Sequence, residues 1–357
     1  MHFYEASIIT TKDGIHCQVY GNEHPRNSIL VKPKYIPTDK IESDALQFRF
    51  ISGRRMNRLN LWADKEQLKK YIESFKGNYP EYILKSNTHI GDRLFFSVPI
   101  DKIERIYFPK RGFSELMNIP DDHLDNHLKS IKDFGNFLLN SGLKIEDIGI
   151  TYSTLMGHYL SDMSDINMVI YGNKNYWKLM KFLEIASHPL LKWKSKEDWI
   201  DFYKRRNRQN IFTLNEFLKV KMRKKSEGFF KGKLFVIFCA ENEDEVWFKW
   251  GEEKYVDVGN VKIRAEVEDN FNSASRPGMY RIKNCKTMEG SSVDVKKVVF
   301  YSRDYSMIAY PGEMIEASGV LEQVFPKTGE SYHRLVIGYF DSYITERREK
   351  EYLKVVE

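Results

Sequence analysis

Apolar and polar positions alternate with a period of two at both ends of this chain and recur with a helical period through its middle. Residues 6–10 and 15–20 alternate around Lys12-Asp13-Gly14, a hairpin signal in which glycine supplies positive φ. Residues 29–35 predict a third strand, placed at a sheet edge by Pro33, and residues 46–51 a fourth. A helix is expected over 64–75, with Asp64 as N-cap, Gln67 completing a capping box, and Leu68, Tyr71 and Ile72 on the apolar face. Residues 93–98 predict another strand, and 99–109 lead out of this unit.

Helical spacing dominates from about Gly112. Asp121 or Asp122 is expected to cap a helix that runs to Ser141 and ends at Gly142. Further helices are expected over 176–186, 193–203 and 214–222. From Val258 the pattern returns to short strands, over 260–268, 278–284, 295–302, 313–325 and 331–337, with Gly or Pro in the turns. Five such strands suit a small closed barrel, and the run from Gly312 to Glu322 resembles an OB-fold strand. The charged tail from Glu346 is expected to be helical.

Residues 145–172 carry the spacing that looks like chemistry. A strand ends in Gly149-Ile150-Thr151-Tyr152-Ser153, a polar loop follows, and Asp165-Ile166-Asn167-Met168-Val169-Ile170 forms the next strand. Alternation puts Asp165 and Asn167 on one face and Ile166, Met168 and Ile170 on the other. Acidic residues two apart on a strand, facing a hydroxyl-bearing turn, suit a divalent cation and the phosphates it holds. This pattern resembles the DNA polymerase β-like nucleotidyltransferase superfamily. Thr11-Lys12-Asp13-Gly14, Glu23-His24-Pro25, Lys34-Tyr35-Ile36-Pro37 and Phe230-Lys231-Gly232 are similar to an archaeal family of predicted nucleotidyltransferases within it.

The resemblance implies a metal site at Asp165 and Asn167, nucleotide binding by Gly149, Tyr152, Ser153 and Lys233, and transfer of a nucleoside monophosphate from an Mg²⁺-bound triphosphate. Three departures point to a degenerate centre. Tyr152 stands where the pattern has glycine, and Asn167 where it has a second aspartate. Residues 234–238, the expected site of a third carboxylate, contain no acid, and Glu241, Glu243 and Asp244 come only afterwards. The expectation is a pseudoenzyme that binds nucleic acid or nucleotide. The alternative is a working nucleotidyltransferase acting on a nucleic-acid or protein acceptor.

Charge sharpens this picture. The 357 residues carry a net charge of +6, but residues 192–233 hold fourteen Lys or Arg against five Asp or Glu, an excess of nine. Lys204, Arg205, Arg206 and Arg208, then Lys221, Arg223, Lys224 and Lys225, form the densest runs, a candidate footprint for RNA or DNA. The interleaved Trp193, Trp199, Phe202 and Tyr203 either stack bases or fill a core. Lys262, Arg264, Tyr280, Arg281 and Tyr305 offer a second basic and aromatic face or scattered surface positions. His123 and His127, four apart, either hold a metal or sit on a solvated helix face, and His24 and His89 stand alone. A mean hydropathy of −0.52, no apolar run long enough to cross a bilayer, no secretory pattern and three distant cysteines predict a soluble cytoplasmic protein. The abundance of Lys, Ile and Tyr is compatible with an archaeal origin. The expected architecture is α+β: an N-terminal module over 1–110, a nucleotidyltransferase-like domain over 111–253, an OB-like barrel over 254–345 and a tail over 346–357.

Overall fold

The computed structural model describes residues 2–38, 46–51, 53–59, 65–90, 93–206, 211–339 and 350–357. It is an α+β protein in which three sheets succeed one another along the chain. The first sheet uses β1 (Ile8–Thr11), β2 (His16–Val19), β3 (Ser28–Pro37), β4 (Leu46–Ile51) and β5 (Arg54–Leu59). After helix α1 (Lys65–Asn78) come β6 (Ile83–Lys85), the short β7 (His89–Ile90), β8 (Leu94–Pro99) and β9 (Ile103–Tyr107). Gly14 closes the first hairpin at φ +80°, as the pattern requires. Tyr71, Ile72 and Phe75 of α1 pack on Ile9, Cys17 and Val19, and Leu68 is buried beside them. The expected N-cap Asp64 lies outside the described residues. Pro33 is not at an edge, because β3 lies between β2 and β5. It faces Cys17 where the register slips, and such a bulge tolerates a residue without an N–H. Residues 99–109 do not simply lead out: β9 pairs with β1, and Pro109 opens a helix.

The central unit runs α2 (Pro109–Asn118), α3 (Asn126–Leu139), β10 (Ile148–Ile150), α4 (Tyr152–Met156), β11 (Ile166–Tyr171), α5 (Asn173–Ile185), β12 (Leu191–Trp193), α6 (Lys196–Arg206), α7 (Leu214–Lys221), β13 (Glu227–Phe230) and β14 (Lys233–Ala240). Its sheet has the order β10-β11-β14-β13-β12, with β11 and β14 parallel. The α3 cap is Asp125, whose Oδ1 accepts from the Leu128 N–H at 2.9 Å. Asp121 and Asp122 sit instead in a separate single turn, so the expected helix starts later. Period-two alternation divides the two faces of the sheet. Ile166, Met168 and Ile170 join Phe235, Ile237 and Cys239 under Phe134 of α3 and Leu179 and Leu183 of α5. The other face carries Asp165, Asn167, Val236 and Phe238 and looks away from those helices.

The C-terminal sheet contains β15 (Glu253–Asp269), β16 (Gly278–Glu289), β17 (Val295–Phe300), β18 (Met314–Pro326), β19 (Tyr332–Ile337) and β20 (Tyr352–Val356). Every one of the five expected strands is present. Each of the first five pairs with two others, in the circuit β15-β16-β17-β19-β18 and back to β15, around Val261, Ile263, Tyr280, Val298, Ile315 and Leu335. The tail is not helical over 352–356: β20 pairs with β18 and buries Leu353. From the first unit, β7 adds to β15.

Buried polar groups tie the three units together. Glu5 is fully buried and accepts from Arg276 Nη1 at 3.1 Å and from Arg303 Nη2 at 2.8 Å. Glu241 accepts from Asn22 at 3.3 Å, Asn272 at 3.2 Å and Asn173 at 3.4 Å. Among the described residues, no helix is long and apolar enough to cross a membrane.

Candidate functional site: a cleft on the free face of the central sheet

The turn after β10 is held from both sides. The Thr151 hydroxyl donates to the Ala6 carbonyl at 2.6 Å, and the Ser153 carbonyl accepts from the His158 N–H at 3.0 Å. Tyr152 takes φ +57°, the left-handed region where a Cβ is strained. The backbone thus adopts the conformation of a glycine although the residue is tyrosine. Its ring is enclosed. The Lys34 ammonium lies 3.3 Å from the ring centroid, and Phe238 meets the ring edge-on at 5.6 Å. The Arg303 guanidinium lies 3.7 Å from the Phe238 centroid. Lys34, Tyr152, Phe238 and Arg303 therefore form a cation–ring–ring–cation ladder across the free face, joining all three units. Burial, then the charges of Arg58 and Lys32, hold the Lys34 pKa well below the usual lysine range. Gly149 has a packing reason: an added Cβ would lie 2.7 Å from the Pro109 Cβ.

Asp165 is exposed at the start of β11, and crowding by the chain raises its pKa while Lys194 and Arg58 pull it back. Asn167 shares its face and stands opposite Val236, which in turn stands opposite Glu227 on β13. Glu227 is thus a carboxylate on the same face that the sequence pattern did not single out. It sits two strands, about 10 Å, from Asn167, and it bonds the Lys194 ammonium at 2.7 Å. Metal pairs that activate phosphoryl transfer sit about 3.5–4 Å apart between shared carboxylates. One carboxylate and a neutral amide do not fit Mg²⁺ in that role, and among the described residues no group of three metal-ligating side chains converges. Lys233 donates to the Ser161 carbonyl and so ties down the polar loop before Asp165.

Further along the sheet, β13 and β14 wall a cavity of about 860 Å³, within the range of pockets that hold small molecules. Glu227, Phe229, Leu234, Val236 and Phe238 form one wall and Phe202 and Arg205 of α6 another, with Lys221, Lys224, Arg303 and Asp304 among the remaining lining; Gly149, Tyr152, Ser153, Asp165, Asn167 and Lys233 are not part of it. The basic run is accordingly split rather than presented as one solvated footprint. Lys204 and Arg205 are exposed on α6, Arg206 ends that helix, and Arg208 lies outside the described residues. Lys221 and Lys224 are buried. Arg223 pairs with Glu313 at 2.7 Å, and the Lys225 ammonium lies 4.8 Å from the Trp193 ring centroid. Trp199 and Tyr203 belong to a core with Phe217 and Leu218, while Phe202 reaches the cavity.

Two other sequence candidates dissolve. His123 sits in the single turn before α3, whereas His127 is fully buried and bonds the Thr154 hydroxyl at 2.9 Å, so the pair shares no helix face. Tyr280 and Tyr305 are core residues of the C-terminal sheet. Lys262 faces Glu289 and Glu316, Arg281 faces Glu268 and Asp269, and Arg264 donates to the Glu357 carbonyl, so that surface is charge-compensated.

Glu241, just beyond β14, is not a solvent-facing turn acid. Burial raises its pKa from 4.5 to about 7, against hydrogen bonds from Ser275, Asn22, Asn272 and Asn173 that lower it. The folded chain therefore holds this proton more tightly than the unfolded chain. The stability involved is fully present below pH 4.5 and is lost as pH rises to about 7. At 1.36 kcal/mol per unit the loss is about 3 kcal/mol. Glu241→Gln, neutral throughout, is expected to remove that slope. Denaturant midpoints of variant and parent should diverge between pH 4.5 and 7, with the variant higher above 7. Parallel profiles would contradict this.

The chain is similar to a protein of Methanocaldococcus jannaschii named uncharacterized protein MJ1086, 28% identical over 353 residues that span 98% of this chain and 97% of that protein. No family model matches. No solved structure matches.

Proposed function

We propose that this chain is a nucleotidyltransferase-like protein that has kept the cleft and lost the metal chemistry, and that it binds a nucleotide or nucleic acid there. The observation that carries the reading is the free sheet face. Asp165 is followed by Asn167 and then by Val236 in register, where a working site needs acids, while Val236 and Phe238 on that face wall a cavity lined by both cations and acids. The order β10, turn, α4, β11 with a parallel β14 supports the fold assignment, and the circuit of five C-terminal strands supports an OB-like barrel. Exposed Arg205 at the cavity rim, with exposed Lys204 next to it on α6, suits the phosphates of RNA or DNA. A cytoplasmic location goes with this reading. One observation favours the alternative of an active nucleotidyltransferase: the Tyr152 backbone still holds the positive φ of a glycine turn.

The test is titration of the full chain with nucleoside triphosphates and short RNA and DNA at 50 and 200 mM salt. Binding that weakens steeply with salt is expected, since each neutralised phosphate releases counterions. Absence of binding, or affinity indifferent to salt, would remove the proposal.

A further inference from the structure

A lysine taken out of water normally reaches back to it or finds a carboxylate. Lys194 follows that rule in the cavity by pairing with Glu227 at 2.7 Å. Lys224 does not. It lines the same cavity, is only 7% exposed, and among the described residues has no acceptor within hydrogen-bond or ion-pair distance of Nζ. Nζ keeps accessible surface, whereas Arg303 Nη1 and Ser306 Oγ are sealed off. The charges around it do not hold a proton there. Lys221, also buried, and Arg223 repel a cation, while Glu227 is committed to Lys194 and Asp304 attracts only from beyond ion-pair distance. Burial, then Lys221, accordingly holds the Lys224 pKa well below the lysine range. The side chain therefore rests as an amine with a free lone pair. Room for a ligand lies beside it. Phe229, Val236, Phe238 and Met307 give the cavity apolar wall, and exposed Asp201 and Arg205 of α6 line its mouth.

We propose that Lys224 is a carbonyl-reactive nucleophile that captures a small aldehyde or ketone in this cavity as an imine. An anion-binding site would need further donors converging on Nζ, and Arg303 and Ser306 do not supply them. A nucleophile needs a neutral amine, a neighbouring cation that keeps it neutral, and space for its electrophile. Nζ adds to the carbonyl carbon, and the carbonyl π pair moves to oxygen. The nitrogen lone pair then forms the second C–N bond as the C–O bond breaks. Both amine protons leave with that oxygen as water, so the step consumes no oxidant or reductant. Asp304 and Glu227, on the same cavity, are placed to relay those protons. This inference goes beyond nucleotide binding and does not rest on it.

The experiment is reductive trapping on the full chain. Propionaldehyde or pyruvate is added with cyanoborohydride, which reduces an imine to a stable amine, and the adducts are located by peptide mass mapping. At pH 7 only about one exposed lysine in 2,500 is neutral. Lys224 is therefore expected to label at least about tenfold faster than Lys192 and Lys204, which are exposed. The ratio should shrink by up to about tenfold per unit between pH 7 and 9, as the exposed lysines deprotonate and Lys224 has no proton left to lose. Lys224→Met is expected to lose the fast adduct and to melt no lower than the parent, since the nitrogen it removes has no partner. Lys224 left unlabelled by both probes, or labelled no faster than Lys192, would overturn the proposal, as would a ratio that does not change with pH. The native chain decides this by itself, so nothing hangs on the folding of the variant. Salt-dependent nucleotide binding would stand or fall separately.

Discussion

Replacing Glu5 by alanine is expected to destabilise the whole protein by about 3–5 kcal/mol, the usual consequence of leaving buried charges without their partner. Glu5 is fully buried in the first unit, yet both cations it binds, Arg276 and Arg303, belong to the C-terminal unit. It also accepts from the Gly21 N–H and from Gln18 Nε2. Alanine leaves the two guanidiniums facing each other across a cavity. Because Arg303 also stacks on Phe238 of the central sheet, the damage is expected to reach all three units. Denaturant unfolding followed by tryptophan fluorescence and circular dichroism should shift by the same amount in both signals. A loss under about 1 kcal/mol would show that the three units do not depend on this contact.

Glu322→Ala is expected to cost a similar 3–5 kcal/mol. Glu322 is 1% exposed and accepts from Arg334 Nε at 2.9 Å and from the Tyr339 hydroxyl at 3.0 Å, so its removal strands a buried guanidinium. The Tyr339 hydroxyl also meets His89 Nε2 at 2.9 Å, and His89 lies on β7, the strand that the first unit lends to β15. Burial and the charges of Arg334 and Arg93 push the His89 pKa down to about 2, so it works there as a neutral ring. Amide exchange at His89 and Ile90 should therefore accelerate more than at β16. Glu322→Gln, which keeps one acceptor, should lose less. Equal losses for the two variants would mean that charge, rather than hydrogen bonding, dominates.

Much of the fold is legible in the residues. The strands after Val258 follow their turn residues, and the alternation of Ile166, Met168 and Ile170 against Asp165 and Asn167 assigns both faces of β11 correctly. Errors arise where local signals have two physical outcomes. Pro33 suits an edge strand, but a bulge removes the same ladder bond. Asp121, Asp122 and Asp125 are all good caps, and the burial of Leu124, Ile131 and Phe134 decides for Asp125. Tyr280 and Tyr305 alternate like surface aromatics, yet their hydroxyls are satisfied inside: Tyr280 donates to the Tyr305 carbonyl at 2.8 Å. In the candidate site, the side of the sheet was legible and the cavity was not. Asp165, Asn167 and Tyr152 stand on or beside the face that the pattern indicates. Lys221 and Lys224 read as part of a nucleic-acid footprint because a helix end gives no sign of what covers it, and Arg303 reaches the cavity from more than sixty residues beyond β14.

Transfer of label from α-labelled nucleoside triphosphates, with Mg²⁺ or Mn²⁺ and mixed RNA and DNA acceptors, tests the central claim most directly. The native chain, Asp165→Ala and Asn167→Asp should all be silent while nucleotide binding persists, since restoring one acid still leaves Val236 opposite it. Label transfer by the native chain that Asp165→Ala abolishes would contradict a centre that binds without reacting.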